Sequence, residues 1–412
     1  SEMCIRDRIM ETIILKFGCT SVGSTDRISA VANIIKAASD EATPVVVVSA
    51  MSGETNRLID LANSFGSEPN KREFDALVST GEKVSASLVA IALHQIGLKA
   101  KSLSAAQVGM KTTANFSRAK ILDLDKEVIF KTIEDGYIPI ITGFQGITSD
   151  GDTTTMGRGG SDTTAVAIAA SMQAKRCDIY TDVDGIYTTD PRIVPNAKKL
   201  DSINIEEMLE LSGQGAKVMQ IRAVEFANKY KVLVRVLSSF EPGSGTLILQ
   251  EENAMEDAVI TGIASQKDQT KFTLHGVGDT PGIASGILSP VSDAGIEVDV
   301  IVQNVSVSGK TDFTFTVGTA DRDEVESVLK EKMQGISYDE LIINEAIGKV
   351  SLVGVGMRSH AGIASTAFNA LADAGINIQM ISTSEIKITI VIAVDQLDQA
   401  VKTLHAAFNL GD

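Results

Sequence analysis

Residues 12–50, TIILKFGCTSVGSTDRISAVANIIKAASDEATPVVVVSA, contain two short apolar runs joined by a turn and a stretch with helical spacing. The first run, TIILKFG (12–18), and the second, TPVVVVSA (43–50), are almost continuously apolar, as strands are when both faces of a sheet are covered. Between them, DRISAVANIIKAASD (26–40) repeats apolar residues at the period of an amphipathic helix. This order predicts a strand–helix–strand unit of a parallel sheet.

The same alternation continues to about residue 250. Further strands are predicted at YIPIITGF (137–144) and CDIYTDV (177–183), and further helices at EKVSASLVAIALHQIG (82–97) and DTTAVAIAASMQAK (162–175). We therefore expect an α/β fold in which helices sandwich a mostly parallel sheet. In such folds ligands bind at the carboxyl ends of the strands.

Size and composition narrow the class of protein. A chain of 412 residues is long enough for two or three domains. The net charge of −16 argues against nucleic acid or an anionic membrane as the main partner. Cys4, Cys19 and Cys177 show no paired spacing, which suggests a reducing cytosol and no zinc site. The first nine residues, SEMCIRDRI, do not fit the pattern that follows, and we interpret them as a non-native leader before a domain at 10–250.

Beyond a charged, irregular stretch at 238–257, the chain repeats itself. One copy, GVGDTPGIASGILSPVSDAGIEVDVIVQNVS, begins at Gly276, and the other, GVGMRSHAGIASTAFNALADAGINIQMISTS, begins at Gly354. Each copy is typical of a βαββα series with room for one more strand. The repeat predicts two small domains of the same fold, at 268–347 and 348–412.

The two copies differ in where their last strand would come from. The first copy can finish with YDELIINEAI (338–347), whereas the second ends in the helix DQLDQAVKTLHAAF (395–408). A strand, AVITGIAS (258–265), precedes the first copy and has no other assignment. We expect it to complete the sheet of the second copy, so that the first repeat is inserted within the second.

Four stretches of the first 250 residues carry candidate site residues. KFGCTSVG (16–23) ends the first strand in a turn, where Lys16 either places a positive charge beside a phosphate or only closes the strand. No GxxxxGK[ST] pattern is present, which disfavours a P-loop ATPase. SAMSGETNRL (49–58) follows the second strand, and Ser49 and Thr55 there are either ligand contacts or helix caps.

Two of these stretches begin helices with a carboxylate. STGEKVSA (79–86) places Glu82 in a first turn, where it is favoured by the helix dipole or binds an ammonium group. TTMGRGGSDTTAVAIAA (154–170) surrounds Arg158 with glycines and enters a helix at Ser161 and Asp162. Arg158 offers a bidentate fork for a carboxylate or a phosphate, and the helix N-terminus adds backbone donors. A plain turn needs no such density of glycine, arginine and capping residues.

A further stretch, YTDVDGIYTTDPR (180–192), is either a turn-rich loop or part of a nucleotide site. Tyr187 would pack on a planar base, and Arg192 would reach phosphates. The four histidines have no metal spacing and are interpreted as structural: His94, His275, His360 and His405.

In this order, KFG-TSVG, SAMSG-TN-L, GRGGSD and TDVDGIYT-DPR resemble the aspartokinases, a branch of the amino-acid kinase family. The resemblance extends from Met10 to the last residue. It implies an amino-acid kinase fold followed by two βαββαβ, ferredoxin-like ACT domains, which bind amino acids as effectors. The implied reaction transfers the γ-phosphoryl group of ATP, with Mg²⁺, to the β-carboxylate of L-aspartate, the first step towards lysine, threonine and methionine in the cytoplasm.

The resemblance also implies roles for individual residues. Lys16 would neutralise the transferring phosphoryl group, and Arg158 would clamp the substrate α-carboxylate. Glu82 and Asp162 would receive the substrate ammonium. Ser49, Thr55, Gly159, Gly160 and Ser161 would complete the aspartate site. The positions expected to contact ATP are Lys16, Phe17, Gly18, Cys19, Thr20, Ser21, Thr181, Asp182, Tyr187, Arg192 and Lys217.

Within the repeats, QNVS (303–306) and STSEIKI (382–388) resemble the class regulated by lysine and threonine. The implied effector contacts lie where ACT domains of two chains meet, so at least a homodimer is expected. They are Asp279, Gln303, Asn304, Ser382, Thr383, Ser384 and Glu385.

The sequence departs from the family pattern at two positions, Cys19 in the lysine loop and Ala361 in the second ACT turn, where glycine and proline are usual. Two other functions remain open at this point. One is a kinase for a different acidic amino acid, and the other is a non-catalytic amino-acid sensor.

Overall fold

The computed structural model describes most of the chain, and the chain divides into two compact units that we describe separately. Arg158, Lys217, Ala361 and the leader lie outside the described residues. The first unit comprises 1–186, 199–212 and 217–254, and the second the remainder. The described ranges are 12–66, 69–157, 159–216, 218–250, 259–305, 309–333, 335–360 and 362–411.

The first unit alternates strands and helices. Its described elements are β1 (Thr12–Phe17), α1 (Thr25–Ser39), β2 (Thr43–Val48), α2 (Glu54–Asn63), α3 (Lys71–Val78), α4 (Thr80–Gln95), β3 (Ala100–Leu103), β4 (Lys111–Thr112), β5 (Ile121–Asp123), α5 (Lys126–Glu134), β6 (Ile138–Thr142), β7 (Gln145–Ile147), β8 (Thr153–Thr155), α6 (Gly160–Met172), β9 (Arg176–Thr181), β10 (Ser202–Asn204), α7 (Ile205–Gly213), α8 (Ile221–Tyr230), β11 (Val234–Ser238) and β12 (Thr246–Leu249).

Eight strands form the main sheet in the order β10-β12-β11-β9-β1-β2-β6-β3. Every pairing is parallel except β11 with β12. β9 and β1 lie at its centre, and side chains of β1 are buried on both faces. On one face β1 packs with α1 and α4 through residues such as Ile35 and Leu93. On the other it contacts α6, which is buried along nearly its whole length. The predicted α/β fold with a mostly parallel sheet is confirmed.

A second, four-stranded sheet, β5-β4-β7-β8, was not predicted from the sequence. Its strands are only two or three residues long, too short to give a periodic pattern. It matters for the site because β8 leads directly into the glycine-rich stretch.

Residues 71–95 are the single described stretch that is helical, long and apolar enough to span a membrane by length and composition. They form α3 and α4, with Ser79 at their junction. Val89 and Leu93 belong to the core beneath the main sheet. The stretch is therefore explained as core helix of the first unit.

The second unit contains one mixed sheet with helices. Its elements are β13 (Gly262–Gly278), α9 (Ile283–Asp293), β14 (Ile301–Val305), β15 (Lys310–Gly318), α10 (Arg322–Lys332), β16 (Glu340–Val353), α11 (Ile363–Asp373), β17 (Met380–Thr383), β18 (Lys387–Ala393) and α12 (Leu397–Ala407). The strand order is β14-β15-β13-β16-β18-β17.

Two long strands, β13 and β16, run through both repeats. Residues 269–275 of β13 lie between β15 and residues 340–347 of β16. The first part of β13, residues 262–266, pairs antiparallel with residues 349–353 of β16, which in turn pair with β18. The start of β13 is therefore hydrogen-bonded to the second repeat, and its remainder to the first. Each repeat has its own apolar core.

Candidate active site

The carboxyl ends of six parallel strands lie at one edge of the main sheet. Backbone hydrogen bonds continue past the strands, from Ser49 N–H to Phe17 O (3.0 Å) and from Gly143 N–H to Val48 O (3.0 Å). On the other side, Gly18 N–H donates to Tyr180 O (3.1 Å). The turns that follow β1, β2, β6 and β9 are thus fixed side by side, and they carry most of the predicted site residues.

The turn after β1 is a compact loop. The N–H groups of Ser21 and Val22 both donate to Gly18 O, at 3.0 and 3.3 Å, and Ser24 then caps α1. Ser239 Oγ, after β11, donates to Ser21 Oγ at 2.8 Å and holds the loop against the sheet. Cys19 is exposed and does not have a positive φ, so the backbone there does not demand glycine.

Lys16 points from β1 towards the start of α6. Its Nζ lies 2.7 Å from Asp162 Oδ1, and each side chain is only 10% exposed. The contact is an ion pair. The structure thus brings into contact two residues, Lys16 and Asp162, for which the resemblance implied separate roles. Asp162 holds the lysine, in addition to any contact with substrate.

The glycine-rich stretch is fixed by close packing. Gly157 and Gly159 adopt φ of 75° and 67°, in the left-handed region. A Cβ on Gly159 would lie 1.6 Å from Gln220 Cγ, so no larger residue fits. Ser161 is buried beside Gly143 and begins the first turn of α6 with Asp162. The described residues of the glycine-rich stretch therefore have one well-defined backbone conformation.

Glu82 is the second buried carboxylate of the site. It lies in the first turn of α4 and is 3% exposed. Oε1 accepts the Ala50 N–H at 3.1 Å, while Oε2 has no hydrogen-bond partner among the described residues. Burial raises the pKa of Glu82 to about 7, although the Ala50 hydrogen bond opposes this. A buried oxygen without a donor is a ready acceptor for a cationic group.

The predicted hydroxyl contacts surround this carboxylate. Ser49 is half-buried after β2, and its carbonyl accepts Ser85 Oγ–H at 2.7 Å. Ser85 lies one turn along α4 from Glu82, so Ser49 and Glu82 are held by the same helix. Thr55 is half-buried in the first turn of α2.

The predicted nucleotide contacts are divided between the two units. Thr181 Oγ donates to Asp182 Oδ1 at 3.1 Å at the end of β9, and Asp182 is exposed. Tyr187 and Arg192 belong to the second unit, where Tyr187 packs on the core of the second repeat and Arg192 pairs with Asp190 at 2.7 Å. Phe17 is buried and stacks on Tyr180, with ring centroids 4.8 Å apart.

The predicted effector residues lie at the two edges of the second unit's sheet. Gln303 and Asn304 are exposed on the edge strand β14, and Asp279 follows β13. Ser382 and Thr383 lie on the opposite edge strand, β17, followed by Ser384, whose N–H donates to Lys387 O at 2.8 Å, and by exposed Glu385.

Comparison with known protein families gives two matches. A family model described as the amino acid kinase family matches residues 11–238. An ACT domain model matches residues 350–408, within the second repeat.

Curated proteins match along nearly the whole chain. An aspartate kinase of Pseudomonas fluorescens (strain SBW25) is 53% identical over 405 residues, covering 97% of this chain and 98% of that protein. An aspartokinase of Helicobacter pylori (strain 26695) is 46% identical over 406 residues, covering 97% of this chain and 99% of that protein.

Solved structures are similar over the same extent. E. coli aspartokinase III in complex with aspartate and ADP (R-state) has a TM-score of 0.84 at 27% identity, covering 96% of this chain and 99% of that one. The same enzyme in complex with lysine and aspartate (T-state) has a TM-score of 0.75, covering 97% of this chain and 99% of that one.

Proposed function

The chain belongs to the aspartokinase family, and we propose that it transfers the γ-phosphoryl group of ATP to the β-carboxylate of L-aspartate, giving 4-phospho-L-aspartate. One observation carries this proposal beyond family membership. At the carboxyl edge of the sheet, a buried lysine is held by Asp162, and a second buried carboxylate, Glu82, has one oxygen for which the described residues supply no donor. A site for an amino acid and a phosphate needs both a fixed cation and an unsatisfied anion.

We assign Glu82 to the substrate ammonium, because its Oε2 is buried and has no hydrogen-bond partner in the part of the chain that the structure describes. We assign Arg158 to the α-carboxylate from the sequence pattern alone. Gly159, Gly160 and Ser161 supply the start of α6, and Ser49 and Thr55 line the adjoining turns. Asp162 is assigned chiefly to holding Lys16, which modifies its predicted role as an ammonium ligand.

The chemical step needs no general base, because a carboxylate is already ionised at neutral pH. Catalysis then consists of alignment and of neutralising the charge on the transferring oxygens. Lys16 is suited to this because its ammonium is largely excluded from water, where electrostatic interactions are strong. The ion pair with Asp162 fixes its position before the substrate arrives.

We assign ATP to the loop Phe17–Ser21 and to Thr181 and Asp182 of the first unit. Tyr187, Arg192 and Lys217 stay candidate ATP contacts from the sequence pattern alone. Mg²⁺ is commonly held by one or two carboxylates together with substrate phosphates. The described residues contain no group of three or more His, Cys, Asp or Glu side chains that could hold a metal ion. When bound, Mg²⁺ would neutralise phosphate charge.

We further propose a catalytic domain at 10–250 and two ACT domains at 268–347 and 348–412, with the strand predicted at 258–265 completing the second. The antiparallel pairing of 262–266 with 349–353 supports this division. Lysine and threonine are the proposed effectors, and E. coli aspartokinase III has been solved with lysine. The edge strands β14 and β17 would be covered in a dimer. The proposed location is the cytoplasm.

An ATP turnover assay tests the proposal. Purified protein is given ATP, Mg²⁺ and either L-aspartate or L-glutamate, and ADP release is coupled to a spectroscopic signal. We expect turnover with aspartate and much less with glutamate. Turnover is then repeated with lysine, threonine and both together. Equal rates with glutamate would support a kinase for another acidic amino acid, and no turnover with either would support a sensor.

A further inference from the structure

Asp75 is a fully buried carboxylate in α3 that the assignments above do not use. Each of its two carboxylate oxygens accepts two hydrogen bonds. Oδ2 accepts the N–H of Ser117 (2.8 Å) and of Thr155 (2.7 Å), and Oδ1 accepts the hydroxyls of the same two residues, both at 2.9 Å. A buried carboxylate is tolerated only when such donors replace water, so this cluster has one preferred geometry.

The partners of Asp75 control where the glycine-rich stretch begins. Thr155 is the last residue of β8, and Met156 follows it at once. Ser117 has a φ of 67°, and its carbonyl oxygen lies 3.1 Å from where a Cβ on Gly157 would be. Arg222 from α8 donates to Met156 O at 2.8 Å. The path into Gly159, Ser161 and Asp162 is thus fixed from both sides.

The helix that carries Asp75 controls the other half of the site. α3 ends at Val78, and Ser79 N–H donates to Asp75 O at 3.1 Å. Gln145 Nε2 donates to Ser79 O at 2.8 Å, and α4 begins at the next residue. Glu82 lies in the first turn of α4. Asp75 therefore stands between the two segments that carry the assigned ammonium and carboxylate contacts.

We infer that Asp75 is a positioning residue for the amino-acid substrate, setting the distance between Glu82 and the described residues of the glycine-rich stretch, 156–157 and 159–162. This inference rests on the proposed function. The ammonium and the α-carboxylate sit on one carbon atom of the substrate, so both contacts must be placed together. A small displacement of either segment breaks this match without touching the nucleotide.

The test is steady-state kinetics of Asp75→Asn. The amide oxygen of asparagine can keep the two backbone N–H groups that Oδ2 accepts, but its NH₂ then faces the hydroxyls of Ser117 and Thr155, which can no longer donate to this side chain. The negative charge that strengthens all four hydrogen bonds is also lost. We expect the KM for aspartate to rise roughly tenfold or more. The KM for ATP should stay within about twofold, and kcat should change less than the KM for aspartate.

Three further variants separate positioning from general stability. Thr155→Val removes one hydroxyl donor and keeps the backbone, so the KM for aspartate should rise in the same direction by a smaller factor. Thr155→Ser restores the hydroxyl and should behave like the wild type. Asp60→Asn changes an exposed aspartate of α2 and serves as the matched control. If Asp75→Asn does not fold, the Thr155 pair decides the matter.

The inference is overturned if Asp75→Asn, or Thr155→Val in its place, leaves the KM for aspartate unchanged. A loss of active protein at unchanged KM would show a purely structural role and overturns it as well. Failure of the proposed function gives a different result, because the wild type itself would then show no turnover with aspartate.

Discussion

Two helices, α4 and α6, begin beside the carboxyl ends of the central strands, and each carries a buried carboxylate in its first turn. Asp162 of α6 lies 2.7 Å from the ammonium of Lys16. Among the described residues, Glu82 of α4 accepts the Ala50 N–H with one oxygen and has no donor for the other. Both carboxylates are buried and lie in the first turn of a helix. They differ in the neighbouring group, which is an ammonium for Asp162 and a backbone N–H for Glu82.

This difference shows that two buried carboxylates at one edge of the sheet can have different roles, one binding a cation of the protein and the other a cation of the substrate. Asp162 is compensated within the protein, so its contribution is to hold a cation in place. Glu82 is uncompensated, and burial keeps its pKa near 7, so a bound cation would both satisfy it and keep it ionised. Four substitutions or titrations test this contrast, beginning with the largest expected effect.

Lys16→Ala removes the cation that Asp162 holds. We expect kcat to fall by roughly 10²–10³, since one fixed charge on a developing anion commonly contributes that much. The KM for aspartate should change far less. Steady-state kinetics in both substrates measure this, with Lys101→Ala, an exposed lysine on edge strand β3, as the control. A kcat near that of the wild type would contradict the role assigned to Lys16.

Glu82→Gln keeps an acceptor for the Ala50 N–H but removes the negative charge. We expect the KM for aspartate to rise roughly 10–100-fold, because a hydrogen bond to a charged group is lost. The KM for ATP should stay the same. Glu127→Gln, an exposed glutamate in the first turn of α5, is the matched control. Equal effects on both KM values would show that Glu82 is not specific to the amino acid.

The pKa of Glu82, raised to about 7, predicts a pH dependence. Below pH 7 the free carboxyl is mostly protonated and cannot attract an ammonium, so the KM for aspartate should rise as pH falls. The limiting slope is about tenfold for each pH unit. KM measured from about pH 5.5 to 8 shows this, and the profile of Glu82→Gln should be flat. A flat profile in the wild type would contradict an uncompensated Glu82.

Cys19→Gly should have the smallest effect. Since Cys19 does not adopt a positive φ, glycine relieves no strain, and kcat should stay within about twofold of the wild type. Glycine should lower the free energy of unfolding by roughly 0.5–1 kcal/mol through the entropy of the unfolded chain. Kinetics and thermal unfolding measure the two effects. A clear gain in stability would instead reveal strain in the lysine loop.

The main sheet was predictable because β1, β2, β6 and β9 are buried apolar runs, and their observed ends fall within two residues of those expected. The segments that carry Lys16 and Glu82 were predictable because each lies next to a strand end or a helix start. The local sequence pattern was sufficient wherever a single strand or helix determines where a residue lies.

Contacts between distant segments were not predictable. The Lys16–Asp162 pair joins a strand end and a helix start that are far apart in sequence, and Asp75 binds residues 42 and 80 positions away. Nothing near Asp75 distinguishes it from a solvated aspartate on a helix. The uncompensated state of Glu82 likewise depends on which donors fold around it, which a helix-start pattern does not specify.

The shared strand β13 has a consequence for the order in which the protein is made. Residues 262–266 leave the ribosome roughly eighty residues before 349–353, the partner with which they pair. At translation rates of about 5–20 residues per second, residues 262–266 lack this partner strand for several seconds while the first repeat is synthesised. During this interval its backbone N–H and C=O groups are open to pairing with other nascent chains. Correct assembly of the second repeat therefore depends on protecting a strand that is synthesised before the rest of its sheet.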